Sequence, residues 1–456
     1  MNMDRRSLLR AGVLGAAALG IAACDSQRSV SKPTGSTPPT QRVPTASLVT
    51  RWDRDPWARG SYSALPVGAS ASVRQVLQRA VVGDRIVLAG EYTSTTHPAT
   101  VHGAYSSGIA AAERLLDRGS RPRSVVVIGA GLAGLAAANQ IAAAGITVTV
   151  LEARDRVGGR VHTDSSLGFP TEMGAAWIHG IRGNPMVELV RKAGLTLRPT
   201  DYEDAAIGDV RTGRSVPAAW KAAQQLSELV AAIGDGGRPA ATESVAAALR
   251  ARGWSSTGPD ARFAEATELT QEYGLDVDRL GAQALWEGDY QRGGDAMVAG
   301  GFDRVPRMLA EGVDVQFNRP ADRVSVTANG VEVSGGGQTA NYEAAVIAVP
   351  LALIQANSPA AELPAPVRSA IDQLATGNLE KAILRYGERW WPDRQLLQVV
   401  GAPQERWSEW YDLSGLTGQP ALVGFTGGSA NASRPTDDQS CAGQASEVLS
   451  AAYRSR

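Results

Sequence analysis

Hydrophobic positions along the chain fall into three rhythms. Ser124-Val125-Val126-Val127-Ile128 is an unbroken β-branched run, which predicts a parallel strand buried on both faces. An Ala-rich stretch after it predicts a helix ending at Gly145, and Ile146 to Leu151 predicts a second strand. Residues 381–386, 396–401 and 421–428 alternate apolar and polar positions, the period of a sheet with two unlike faces. Residues 218–234 carry helical spacing instead. Together these predict an α/β fold: a Rossmann-like dinucleotide-binding domain and a second domain of mixed sheet and helices.

At 456 residues the chain is long enough for more than one core, since single cores rarely grow past ~250–300 residues. A formal net charge of −1 provides no field to recruit nucleic acid, and none is expected as a partner. Two distant cysteines, Cys24 and Cys441, give neither a disulfide framework nor zinc spacing. The front of the chain reads as an address. Arg5-Arg6 and the residues after it resemble a twin-arginine export motif, and the apolar run from Ala11 to Ala23 is shorter than the ~20 residues of a spanning helix. Ile21-Ala22-Ala23-Cys24 resembles a bacterial lipobox, which implies lipidation of Cys24, attachment to the membrane by that lipid alone, and an extracytoplasmic location. The Ser-, Thr- and Pro-rich stretch after Cys24 cannot bury enough surface to order itself and reads as a tether.

The most specific chemistry lies at residues 124–160. Gly129, Gly131 and Gly134 form G-x-G-x-x-G between the predicted strand and helix. The first permits a tight turn, the second lets backbone approach a pyrophosphate, and the third lets helix close on strand. Glu152 ends the second strand, where an acid accepts ribose hydroxyls. These features alone leave FAD and NAD open.

The stretch from Glu152 to Gly180 resembles the flavin-containing amine oxidase family, which includes polyamine oxidases, monoamine oxidases and flavin-type histone demethylases. Glu152-Ala-Arg154-Asp-Arg-Val-Gly158-Gly159-Arg160 is similar to its extended fingerprint, and Gly174-Ala175-Ala176-Trp177-Ile178-His179-Gly180 to its polyamine-oxidase branch. The resemblance implies FAD, with Gly159 along the phosphates, Arg160 near the flavin, and Gly174 to Trp177 passing the ring. It also implies that His179 faces the substrate channel. The family's closing motifs come early here: the segment with Trp52, Asp55-Pro56-Trp57 and Ser61-Tyr62-Ser63, the Ala89-Gly90-Glu91 turn, and the helix opened by Thr100-Val101. The simplest reading of that order is a circular permutation joining the family's last helix to its first strand through residues 120–123. Residues 296–351 resemble the second stretch of the flavin domain, with Val324 against the cofactor.

Gly377-Asn378-Leu379-Glu380-Lys381 resembles the string whose lysine holds a water at the flavin N5 in the family. Independently, a lysine in an apolar alternating strand is unusual; pointing inward, it loses proton affinity by desolvation. The resemblance places aromatic side chains around the flavin. Trp391 is one candidate, equally readable as core, while His97 stands where many relatives carry tyrosine. No cysteine matches a covalent flavin attachment point, so non-covalent FAD is expected. The implied reaction is oxidation of a polyamine or another amine by hydride transfer to flavin, with imine hydrolysis and O2 reduced to H2O2. Another flavin oxidoreductase of this fold, such as an L-amino acid oxidase or desaturase, and a non-catalytic tethered flavoprotein are the alternatives. The expected organisation is leader 1–23, tether 24–47, a substrate-domain strand segment 48–80, FAD-binding parts 81–196 and 295–351, a helical substrate-domain part 197–294 and the substrate-domain sheet 352–456. The sequence leaves the oligomeric state undefined.

Overall fold

The computed structural model describes residues 42–117, 121–235, 237–289 and 292–454. The predicted leader, Cys24 and all of the tether before residue 42 lie outside them.

A six-stranded sheet, parallel except at one edge, forms the first layer. Its order is Asp314–Gln316, Thr147–Leu151, Ser124–Ile128, Ala344–Ile347, Ile86–Leu88 and Val81–Val82. Val126 at its centre is opposite Thr149 on one side and Ala345 on the other. Strands covered on both faces have no solvent side, which is why these runs are almost wholly apolar. Helices Val101–Leu116 and Leu132–Ala143 cover one face together, with Val125, Val127 and Val346 packed beneath them.

A second six-stranded sheet runs Ala46–Val49, Leu379–Arg385, Ala421–Gly427, Glu409–Asp412, Leu396–Val400 and Ala205–Asp209. All its pairs are antiparallel except the last, so the sheet is mixed. Helix Asp438–Ala452 packs on one face against Ala382, Leu384 and Trp410. The other face, carrying Ile383, Tyr411, Val423 and Phe425, turns inward. That alternation is the period-two pattern of the sequence made physical.

Three boundaries differ from expectation. Ala46 and Ser47 already pair with Arg385 and Leu384, so the predicted tether gives way to strand before residue 48. Ala205–Asp209, inside the segment expected to be helical, adds a strand to the mixed sheet. Between residues 48 and 80 the strand content is small, the end of Ala46–Val49 and then Ser63–Ala64 beside helix Val73–Arg79. The expected helices do appear: Pro217–Ala232, Val245–Arg250, and Pro259–Glu265 running into a π-helical turn, Ala266–Thr270.

Candidate active site

A cavity opens along the carboxyl ends of the parallel strands, where open α/β sheets place their ligands. The fingerprint glycines divide their work sterically. Gly129 has φ +103° at the turn; a Cβ on Gly134 would lie 1.9 Å from the Gly129 carbonyl oxygen, and one on Gly131 would meet no heavy atom within 4 Å. Gly129 and Gly131 line the cavity, whereas Gly134 lets the helix close on the turn. Glu152 is buried at the end of its strand and accepts the Ala130 N–H at 2.7 Å and the Arg154 N–H at 2.9 Å. A second helix, opened by Thr100 as its cap and Val101 as its first residue, presents its N-terminus to the same cavity. Two helix N-termini, an open glycine backbone and a buried acid fit the phosphates and ribose of a dinucleotide.

The early segment closes this cavity. Arg154 makes a two-pronged pair with Asp55, at 2.6 and 3.0 Å, and Trp52 donates its indole N–H to the Met173 carbonyl at 3.0 Å. Arg160 donates to Glu91 at 3.0 Å and to the Ser61 carbonyl at 2.8 Å. Burial pushes the Glu91 carboxyl up, but Arg160, the Ser63 hydroxyl and Arg74 outweigh it and hold it below its usual range. Trp52, Gly90, Glu91, Arg154, Gly159, Arg160, Gly174, Ala175 and Ala176 all line the cavity.

Lys381 reaches the same cavity from the mixed sheet. It is 6% exposed, and its Nζ donates to the carbonyl oxygens of Glu172 at 2.8 Å and Gly174 at 2.5 Å. Burial lowers its pKa to about 8, against an opposing pull from Glu172. The Glu172 carboxyl is itself pushed up by burial to about 7, although it accepts the Phe302 N–H and the Thr163 hydroxyl, each at 2.8 Å. The lysine strand is clamped from its opposite face, where Glu380 accepts the Thr50 hydroxyl at 2.6 Å and pairs with Arg434 at 3.3 Å.

A second cavity adjoins the first, with His179, Trp177, Leu379 and Phe425 lining both. The His179 ring meets Asp295 at 2.8 Å, and Asp295 also accepts the Gly180 N–H and the Tyr202 hydroxyl, both at 2.9 Å. Burial opposes ionisation of Asp295, yet His179 and these two donors hold it far below the usual carboxylate range. Aromatic walls come from Trp177, with ring centroids 4.9 Å from Tyr411 and 5.8 Å from Phe425. Glu272, Glu287, Asp289 and Glu409 also line it, and Arg74, the one arginine among its described lining residues, is paired with Glu287 at 2.6 Å.

Several residues singled out in the sequence lie elsewhere. Trp391 is buried between the mixed sheet and the C-terminal helix, packed on Tyr386 and Trp390, because it follows the strand beyond the cavity. Val324 pairs with Val333 and Ala361 in a separate four-stranded sheet and faces the core; Arg319, Pro320 and Ala321 line the cavity instead. His97 lines neither cavity: its ring meets His102 at a tilt, centroids 4.5 Å apart, while its neighbours Pro98 and Ala99 line the second cavity. Cys441 is buried beneath the mixed sheet and does not line the cavity. Conversely, Glu172, Asp295, Glu409, Tyr411 and Phe425 do not stand out in the sequence. For Glu409 and Tyr411 a signal exists: two-residue spacing puts both on one face, with apolar Trp410 on the other.

A dinucleotide cavity with a buried lysine at its inner wall and an aromatic vestibule defines a cofactor-dependent oxidoreductase. The chain belongs to the family of flavin-containing amine oxidoreductases, whose model matches residues 32–116 and 132–454. It is similar to polyamine oxidase 3 of Oryza sativa subsp. japonica, 32% identical over 335 residues, covering 67% of this chain and 68% of that one. Against polyamine oxidase 2 of Arabidopsis thaliana it is 32% identical over 327 residues, covering 67% of each chain. A putrescine oxidase structure bound to putrescine shares the fold, at 23% identity and a TM-score of 0.54 over 72% of this chain and 81% of that one.

Proposed function

We propose that this amine oxidase acts on a di- or polyamine, holding FAD without a covalent bond. The observation that carries the reading is the vestibule: its described lining residues include four carboxylates and one arginine, whose pair with Glu287 offsets one of the four charges, and it opens onto Lys381 and His179. Such walls attract a multiply charged cation and repel the carboxylate of an amino acid. The relatives named as polyamine and putrescine oxidases support the same class. When bound, the flavin supplies a two-electron acceptor for the C–H bond beside the amine nitrogen, with O2 as the final acceptor. Trp177, Tyr411 and Phe425 hold the alkyl chain and exclude water. Neutral Lys381 spends its two N–H bonds on the Glu172 and Gly174 carbonyls, leaving its lone pair to take a proton from the cavity. Initial rates of peroxide release with putrescine, spermidine, spermine, simple monoamines and L-amino acids test the substrate class; preference for monoamines or amino acids would reject it.

The order of segments supports the circular permutation. Strand Ile86–Leu88 lies beside Ala344–Ile347, which comes over 250 residues later in sequence, completing the flavin-domain sheet. The two ends of the described chain also touch: Arg42 donates to the Ser450 carbonyl at 3.3 Å, and the Ser446 hydroxyl donates to the Arg42 carbonyl at 3.1 Å. Ends this close are what opening a single connection of the parent order leaves behind, the rejoined pair being the one bridged through residues 120–123. Export and lipidation at Cys24 complete the reading, and Cys24→Ala is expected to release the protein from the membrane fraction.

A further inference from the structure

Between the vestibule and a neighbouring cavity beside Gly427 stands a side chain whose polar atoms no described residue uses. Gln271 is 4% exposed and lines the vestibule, yet neither its Nε2 nor its Oε1 has a hydrogen-bond partner among the described residues. Its backbone carbonyl, by contrast, accepts the Tyr62 hydroxyl at 2.7 Å. A buried carboxamide with no partner is costly, so one at the wall of a cavity calls for a partner from outside the fold, a water or a ligand.

The backbone around it is built for that position. Gln271 comes directly after the π-helical turn Ala266–Thr270, and such turns cluster at working sites because they shift side chains out of helical register. A Cβ on Gly427 would come within 3.1 Å of the Gln271 Cα, so that glycine lets the helix settle on the sheet. Gly427 is two residues along its strand from Phe425 and therefore on the same face. On that face Lys381, Phe425 and Glu409 stand in cross-strand register. Adjacent strands lie ~4.8 Å apart, so Lys381 and Glu409 are separated by roughly 10 Å of backbone. Glu409 is buried and accepts the Tyr411 hydroxyl at 3.0 Å and the Gln398 amide at 3.3 Å. A short alkyl chain spans that separation.

We propose that Gln271 is a specificity-determining residue: its carboxamide oxygen accepts an N–H from a second, protonated nitrogen of the substrate, with Glu409 providing the matching charge. The ligand class is an α,ω-diamine or a polyamine, and the assignment rests on the proposed amine-oxidase function. A site that hydrogen-bonds a group discriminates strongly against the analogue lacking it, because its own polar atoms are then left unpaired.

Putrescine and butylamine share a four-carbon chain and differ in the second nitrogen, which makes them the probe pair for the flavin-loaded protein. Gln271→Leu is expected to lower the putrescine-to-butylamine ratio of kcat/KM about tenfold, chiefly through KM. The ligand-free variant should melt no lower than the parent, since leucine removes the unpaired amide. Glu409→Gln reads the same ratio and carries the test should Gln271→Leu fail to retain flavin. A ratio within about twofold of the parent in both variants overturns the assignment and leaves the oxidase intact. Anaerobic calorimetry separates the other failure. Selective putrescine binding that depends on Gln271, in a protein that oxidises neither amine, would sustain this site and overturn the oxidase reading. Equal binding of the two amines by the parent would overturn the site.

Discussion

Lys381 owes its chemistry to where period-two alternation sends it. On its strand the odd positions share one face, where Leu379 and Lys381 line the cavity, and the even ones face the C-terminal helix or its flank, so one residue's slip would bury Glu380 against the flavin site instead. Lys381→Met is expected to retain the flavin spectrum while slowing amine oxidation by ~10²–10⁴-fold, the usual contribution of a positioned acid or base, as stopped-flow flavin reduction would report. Burial lowers the lysine to about 8, and only its neutral form accepts a proton, so kcat/KM should rise with pH through that value. Glu172 pulls the other way, so Glu172→Gln should move this limb of the pH profile to lower pH. A limb that stays in place would mean another group sets it. The lysine is legible in the sequence because charge in an apolar strand is conspicuous. Glu172 is not, because a carboxylate beside a turn looks like any surface acid until the fold buries it.

Elements are legible in proportion to how local their causes are. The strand, turn and helix of residues 124–143 arise from neighbouring residues alone, and the structure has them there. Ala205–Asp209 carries no such signal: it is short, ends in Gly and Asp, and becomes a strand by pairing with Leu396–Val400 far along the chain. Val324 misleads because a β-branched residue in a strand looks the same whether its face meets a cofactor or the core. The glycine turn offers a test confined to this scale. Gly134→Ala forces a methyl onto the Gly129 carbonyl and should destabilise the protein by ~1–3 kcal/mol, the cost of overpacking, visible as a lower melting temperature. Gly131→Ala meets open space and should leave the flavin-free melting temperature in place while weakening FAD binding. Equal losses of stability in both would contradict the division of labour between the two glycines.

At the scale of the whole molecule, one site draws on segments from residue 52 to residue 425. Asp55, Glu91 and the helix opened by Val101 complete a cavity begun by residues 129–160, so the early segment is integral to it. Deleting residues 49–119 is therefore expected to abolish flavin binding, and a truncated protein that kept its flavin would refute that role. Motif order makes this architecture readable, whereas the acidic vestibule is hidden, since its carboxylates come from three segments, at residues 272, 287–289 and 409, that meet only in the fold. Reduction of this protein's flavin by di- and polyamines is the expectation on which the proposed function stands. It is tested most directly by the absorbance spectrum of the purified protein before and after anaerobic addition of putrescine, spermidine, spermine and simple monoamines. Bleaching of the oxidised-flavin bands by the di- and polyamines ahead of the monoamines is the expected result. A bound flavin that no amine bleaches would contradict that expectation.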